Sequence, residues 1–344
     1  MLRVLQIGPL PPPWGGVQTN LAGIQAYLIR KGHRAAGLNV TRHRGSSSDR
    51  AFYPNSAGEV LRLLWTLPYD ILHLHVGGDF LPRIVGLCLA VTSVPGKRSV
   101  LSFHSGGYPS SEEGQRAHKR SVRGFALRRF DRIVVVNQEL REVFLRYGVG
   151  PQKCRLILPY WVPDQAPDLE DGPIKSFFAR HRKVIVSVGL LEPEYDLPLQ
   201  LSTFAHLAGH ELGLLWIGSG SLEPELRRLI EGSPAREHIL LCGDVPRPQT
   251  LASIARAALL WRTTLFDGDA VSVREALHFG TPALATNNGM RPPGVHLTPI
   301  SDSQNLFMNT KRLLSEPRPP RQLQNGEANL QAMLELYEEI ALPG

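Results

Sequence analysis

The sequence predicts an α/β protein made of two doubly wound, parallel-sheet domains. Three observations predict it. Short, continuous apolar runs alternate with segments of helical period along the chain, as strands covered on both faces require. Glycine-rich turns follow several of these runs, as where a strand feeds a ligand-facing loop and a helix. The alternation starts afresh after the Pro- and Asp-rich stretch 159–173, which divides the 344 residues into two parts of ordinary domain size.

Residues 2–7 (LRVLQI) read as the first strand, running into GPLPPPWGG at 8–16, which can be neither helix nor strand. A helix follows at 17–31, with Leu21, Ile24, Leu28 and Ile29 on one face and Gly32 at its end. Next come a strand at 36–40, a polar Ser-rich loop at 42–55 and a helix at 57–67. The run 71–76 (ILHLHV) is a strand, 80–92 a helix and 99–104 (SVLSFH) another strand. A basic helical stretch at 118–130, a strand at 133–136, a helix at 139–147 and a strand at 155–158 complete the first half. The second half opens with the strand 183–188 and Gly189, then a helix at 197–208, a strand at 213–217 and a helix at 223–230. Strands at 239–242 and 259–261 flank a helix at 250–257, and a strand at 282–286 follows the next helix. Leu330, Met333, Leu334, Tyr337 and Ile340 lie at helical spacing in a final amphipathic helix, 327–340. The domains expected are 1–163, 174–320 and, as a helix returning to the first domain, 321–344.

Hydrophobic content of 42% with 20% charged residues is that of a globular chain. Cys88, Cys154 and Cys242 are far apart, with neither disulfide nor metal-ligand spacing, which suits a reducing, cytoplasmic setting. The apolar run 80–94 contains Arg83 and is shorter than the ~20 residues of a membrane span. A net charge of +7 favours an anionic partner. No recognition motif supports nucleic acid, so nucleotide phosphates and an anionic membrane surface remain. The basic stretch 118–132 could lie on such a surface. The simpler reading makes its Val122, Phe125, Ala126 and Leu127 the core face of a domain helix.

The most informative stretch is 266–282, FDGDAVSVREALHFGTP. A turn of Gly and small residues feeding a helix leaves free N–H groups and a positive dipole end, suited to phosphate. Carboxylates beside it accept hydrogen bonds from hydroxyls, as on a sugar or ribose. Read alone, the same residues also fit a capped helix with Asp269 as N-cap and Glu275 as a surface acid. His73 and His75, on one face of their strand, read as buried structural histidines, and Gly15-Gly16 also fits a plain tight turn. Gly218-Ser219-Gly220 is only a fragment of a dinucleotide fingerprint, since Glu223 stands at the third glycine's place.

Taken together, PPPWGGVQ, YDILHLH, SFHSGG, FDRIVVVNQELREVF, CRLILPYWVPD, WIGSGSLEPELRRL and FDGDAVSVREALHFGTPALAT resemble the family 4 type glycosyltransferases of the GT-B fold over nearly the whole chain. The most specific match is a pair of acids separated by seven residues, here Asp267 and Glu275, before a helix and a G-x-P strand entry. The resemblance implies two Rossmann-like domains facing each other across a cleft, the first for acceptor and the second for a nucleotide-sugar donor. It implies transfer, with retention, to a glycan or lipid-linked acceptor in polysaccharide or glycolipid assembly. Neither metal nor cofactor is expected. By the same resemblance Glu275 would hold the ribose hydroxyls and Asp267 the donor sugar. Backbone around Gly268, Asp269, Ala270, Val271, Ser272 and Val273 would contact sugar and diphosphate. Gly15, Gly16 and Gly189 would admit close approach of backbone to ligand, and His104 would lie near the transferred sugar.

The chain departs from the family pattern after Gly189. An Arg and a Lys usually face the diphosphate there, and Leu190 and Tyr195 stand in their places. Arg262 and Arg291 are the replacements expected, with Arg274 as a third choice. Two other readings stay open on the sequence: a non-catalytic GT-B scaffold partner, and a GT-B-fold sugar-nucleotide epimerase.

Overall fold

The computed structural model describes residues 1–12, 15–42, 45–207, 209, 211–266, 270–289, 291–320 and 326–341. The chain forms two units, Met1–Trp161 with Glu327–Gly344, and Val162–Gly326.

The first unit carries a parallel sheet of β1 (Arg3–Gly8), β2 (Arg34–Asn39), β3 (Ala51–Phe52), β4 (Ile71–Val76), β5 (Arg98–Phe103), β6 (Arg132–Val135) and β7 (Cys154–Leu156). Its strand order is β3-β2-β1-β4-β5-β6-β7. The order reverses between β1 and β4, which makes the carboxyl ends of those strands the switch point where such sheets take ligands. Among its helices are α1 (Gly16–Arg30), α2 (Ala57–Thr66), α3 (Pro82–Thr92), α4 (Glu112–Gln115), α5 (Val122–Arg128) and α6 (Gln138–Arg146). The strands are apolar on both faces because both are covered. Leu5, Leu72, Leu101 and Ile133 point into one core with Leu64, Cys88 and Phe144. Val4, Ile71, Val100 and Val134 point into the other, where α1 supplies Ile24 and Leu28.

The second unit has α7 (Pro173–Arg180), β8 (Lys183–Val188), α8 (Leu197–Leu207), β9 (Leu212–Ile217), α9 (Glu223–Glu231), β10 (Ile239–Leu241), α10 (Arg247–Arg256), β11 (Leu259–Arg262), α11 (Val271–Phe279), β12 (Ala283–Thr286), β13 (His296–Thr298) and α12 (Ser303–Ser315). Its sheet order, β10-β9-β8-β11-β12-β13, again reverses beside its first strand, between β8 and β11. The core gathers Trp216, Trp261, Phe204, Leu226 and Leu284. The last helix, α13 (Ala328–Ala341), belongs to the first unit, where Leu330, Met333, Leu336 and Tyr337 join the core beneath α1.

Four features depart from the sequence reading. The loop 42–55 contains the two-residue strand β3, too short to show a period. The basic stretch 118–130 is helical only over α5, whose start is set by Ser121 accepting a hydrogen bond from the Gly124 amide. Only Ala126 and Leu127 of its apolar residues face the core; Val122 is 69% and Phe125 52% exposed, so the four-residue core face is corrected. The elements α7, β13 and α12 lie where periodicity was not read.

Candidate active site

At the second unit's switch point, α11 begins in an extended residue, Ala270, whose methyl side chain cannot cap it. The capped-helix reading with Asp269 as N-cap is therefore corrected. Asp267, Gly268 and Asp269 themselves lie outside the described residues. The helix is buried almost all round, packed beside α10 and on β11 and β12, and Gly280, at φ 69°, ends it in the left-handed conformation.

Glu275 shares that buried helix. It is 2% exposed, so the surface-acid reading is also corrected. One of its oxygens accepts a hydrogen bond from Arg247 Nη1 at 2.6 Å. Arg247 opens α10, and its side chain is itself 13% exposed. Ser272 lies three residues before Glu275 and hence on the same helical face. Its hydroxyl is buried and has no hydrogen-bond partner among the described residues; a ligand oxygen arriving at the helix start would supply one. The sequence reading gave Arg247 no role. The signal was a cation at the start of the helix after β10.

The loops after β8 and β9 explain the glycines around this point. A Cβ on Gly218 would stand 1.8 Å from the Gly189 carbonyl oxygen, and Gly218 has φ 135°. A Cβ on Gly220 would meet the Leu191 backbone at 2.5 Å. The Gly-Ser-Gly run thus serves loop-on-loop packing. A Cβ on Gly189 would lie 2.1 Å from the Tyr195 ring and 2.8 Å from Arg262 Nη1.

Tyr195, in the place of the family's Lys, carries Arg262. The guanidinium lies 4.6 Å from the ring centroid, and its Nη1 donates to the Val188 carbonyl at 2.8 Å. A cation from β11 therefore occupies the ground next to the loop after Gly189, steadied by the aromatic face. Arg291 donates from Nε to the Thr286 carbonyl at 3.0 Å and from Nη2 to Thr264 Oγ1 at 2.7 Å. Both arginines thus stand at the carboxyl ends of β8, β11 and β12. Leu190 is 46% exposed.

In the first unit, α1 starts at Gly16 with Gly15 as its extended N-cap. Neither has a positive φ, and a Cβ on Gly16 would meet nothing within 4 Å, so a plain tight turn does not require glycine there. His104 follows β5 and keeps partial exposure. Its Nε2 lies 3.1 Å from Nδ1 of His75. His73 and His75 are buried on β4. Burial holds the His104 imidazole at a pKa of about 4 and, with the neighbouring imidazoles, pushes His73 and His75 well below the ordinary histidine value. All three are neutral near pH 7. Among the described residues no group of three His, Cys, Asp or Glu is placed to hold a metal ion.

Comparisons with known proteins bear on the family and the fold. The family model for Glycosyltransferase Family 4 matches residues 14–159, and that for Glycosyl transferases group 1 matches 171–295. No curated protein matches the sequence. Among solved structures, HepE of Anabaena in complex with UDP is 15% identical, with 99% of this chain and 98% of that one covered at a TM-score of 0.65. HepE is also known with UDP-glucose. Sucrose-phosphate synthase from Thermosynechococcus elongatus is 16% identical over 98% and 99% of the two chains, at 0.67. A glycosyltransferase from Rickettsia africae is 14% identical over 100% and 99%, at 0.68. Identities this low speak to the fold, and the family models speak to the chemistry. With two Rossmann-like units, each matched by one half of the same enzyme family, the chain belongs to the GT-B glycosyltransferases of family 4 type.

Proposed function

We propose that the protein transfers a sugar, with retention, from a nucleotide-sugar donor to a glycan or lipid-linked acceptor in polysaccharide or glycolipid assembly. The donor belongs to the second unit and the acceptor to the first. The observation that carries the donor assignment is Glu275, a carboxylate buried on a helix at the switch point, beside the buried Ser272 hydroxyl. A carboxylate there is suited to ribose hydroxyls, and the start of α11 to diphosphate. Ala270, Val271, Ser272 and Val273, with Asp267, Gly268 and Asp269 before them, are assigned to sugar and diphosphate. Arg262 and Arg291 supply positive charge in place of the absent Arg and Lys, and Gly189 keeps its loop close. Gly15 and Gly16 leave room for ligand at the start of α1. His104 and Asp267 are assigned to the sugar that moves. No metal is needed when arginines and helix amides face the phosphates. HepE, which binds UDP and UDP-glucose on the same fold, supports a uridine nucleotide as the first to try.

We place the protein in the cytoplasm, at the inner face of a membrane. Among the described residues no helix is long and apolar enough to cross one. The exposed Val122 and Phe125 lie within a run holding Lys119, Arg120, Arg123, Arg128 and Arg129, a combination suited to anionic headgroups.

A thermal-shift screen against UDP-, GDP-, ADP- and dTDP-sugars tests the donor reading, because a ligand that binds only the native state raises Tm. One nucleotide series should raise it by several degrees. Indifference to all four would overturn the assignment.

A further inference from the structure

A chain of buried polar side chains leads away from His104 to the C-terminal helix. His75 Nε2 lies 2.5 Å from Gln6 Oε1, and Gln6 Nε2 lies 3.0 Å from the Tyr337 hydroxyl. The same hydroxyl lies 2.5 Å from His73 Nδ1, and His73 Nε2 lies 2.8 Å from Ser102 Oγ. Four strands and helices contribute: Gln6 from β1, the histidines from β4, Ser102 from β5 and Tyr337 from α13.

Proton counting gives this chain a direction. A neutral imidazole has one N–H, so each histidine donates from one nitrogen and accepts at the other. The Gln6 amide oxygen faces His75 and can only accept, so His75 carries its proton on Nε2. Its Nδ1 is then bare, and the 3.1 Å contact requires His104 to donate from Nε2. That leaves His104 Nδ1 as an acceptor. On the other arm, the Gln6 amide nitrogen donates to the Tyr337 oxygen. His73 Nδ1 is the one acceptor within reach of the phenol O–H among the described residues, so the phenol donates there, and His73 donates from Nε2 to Ser102. Every contact is satisfied in one setting. Turning the Gln6 amide over would reverse every proton on both arms and leave His104 with a donor at Nδ1. The setting found suits the 2.5 Å contact of Tyr337 with His73, in which a phenol, the stronger acid, donates to an imidazole, the stronger base.

The geometry points to Gln6 and Tyr337 as positioning residues that, through His75, hold His104 in the Nε2–H tautomer, so that its Nδ1 accepts a hydrogen bond from a hydroxyl of the bound sugar. This rests on the assignment of His104 to the sugar, but the tautomer can be read without any donor. A His104 fixed this way rejects a carboxylate or phosphate oxygen at Nδ1 and accepts only an O–H or N–H group. The C-terminal helix thereby becomes part of the site's chemistry and not only of its packing.

Two-bond ¹H–¹⁵N correlation spectra of the full chain at pH 7.5 test the idea by giving the protonated nitrogen of each imidazole. The expected result is Nε2–H for His75, His104 and His73. Nδ1–H on His104 in the unaltered protein would overturn the proposal, whatever the variants do. Tyr337→Phe, which keeps the ring, should give His75 and His104 mixed tautomers. It should also lower kcat/KM about tenfold, the worth of one neutral hydrogen bond, and Gln6→Leu should do the same. A purely structural role predicts lower stability with unchanged tautomers, and that outcome would also overturn it. Failure of every nucleotide sugar to bind, with the tautomers as expected, would count against the transfer reading and leave the relay standing.

Discussion

Glu275 is where one residue carries the most consequence. Its carboxylate has left water for a nearly closed site, and the Arg247 guanidinium compensates part of that cost. Removing the carboxylate altogether is a poor test of ligand binding, because it takes away what faces a half-desolvated guanidinium. Glu275→Ala should therefore lower stability by about 3–5 kcal/mol in urea unfolding. Glu275→Gln keeps the volume and one acceptor and should cost about 1–2 kcal/mol. The amide is a weaker acceptor for two ribose hydroxyls, so E275Q should fold yet lose most of the Tm rise given by the nucleotide sugar. A full rise in that variant would show that Glu275 serves Arg247 and not the ligand. None of this could be read from spacing. The seven-residue interval singled out Glu275, but its burial against Arg247 depends on α10, a separate segment of the chain.

At the scale of elements, β4 is the unusual strand. It brings two histidines into the sheet, and β5 delivers a third to them. Their folded-state pKa values lie below the unfolded value of about 6.5. Protonation therefore favours the unfolded chain. The stability they contribute is complete above pH ~6.5 and is lost as pH falls toward the folded values, about 4 for His104. Each histidine that must charge adds a slope of up to about 1.4 kcal/mol per pH unit. His181 and His296 are shifted the same way by burial, so their contribution has the same sign. The urea midpoint should stay nearly level from pH 7.5 to about 6.5 and fall from there to pH 5, before most carboxylates titrate. A level midpoint over that range would contradict the neutral assignment on which the tautomer argument also depends. The strand itself was legible as ILHLHV. The burial of its histidines was legible too; their partners were not, since Gln6 and Tyr337 are 331 residues apart and meet only in the folded unit.

For the whole molecule, the net charge of +7 asks for an anionic partner beyond the donor. The exposed Val122 and Phe125 among arginines give that charge a place. Flotation with vesicles rich in anionic lipid should carry the protein upward at low salt and release it at high salt, because electrostatic attraction is screened. V122S/F125S should lose flotation without losing stability, as both side chains stand in solvent. Flotation that ignores both salt and these substitutions would remove α5 from consideration.

Legible in the chain's own pattern were the two α/β halves, most of their strands and helices in order, and the family. These rest on local periods, on glycine and proline punctuation and on one spaced pair of acids, all of which act within a few residues. Tertiary structure alone decided that Glu275 is buried against Arg247, that Arg262 rests on Tyr195, that the Gly218 and Gly189 loops touch backbone to backbone, and that half of the apolar face of α5 looks outward. It also decided that His104 is tied through His75 and Gln6 to a tyrosine in the last helix. The reason is the same in each case: burial and hydrogen-bond partners are set by parallel strands brought together from distant parts of the chain, and no period within a single segment records which neighbours those will be.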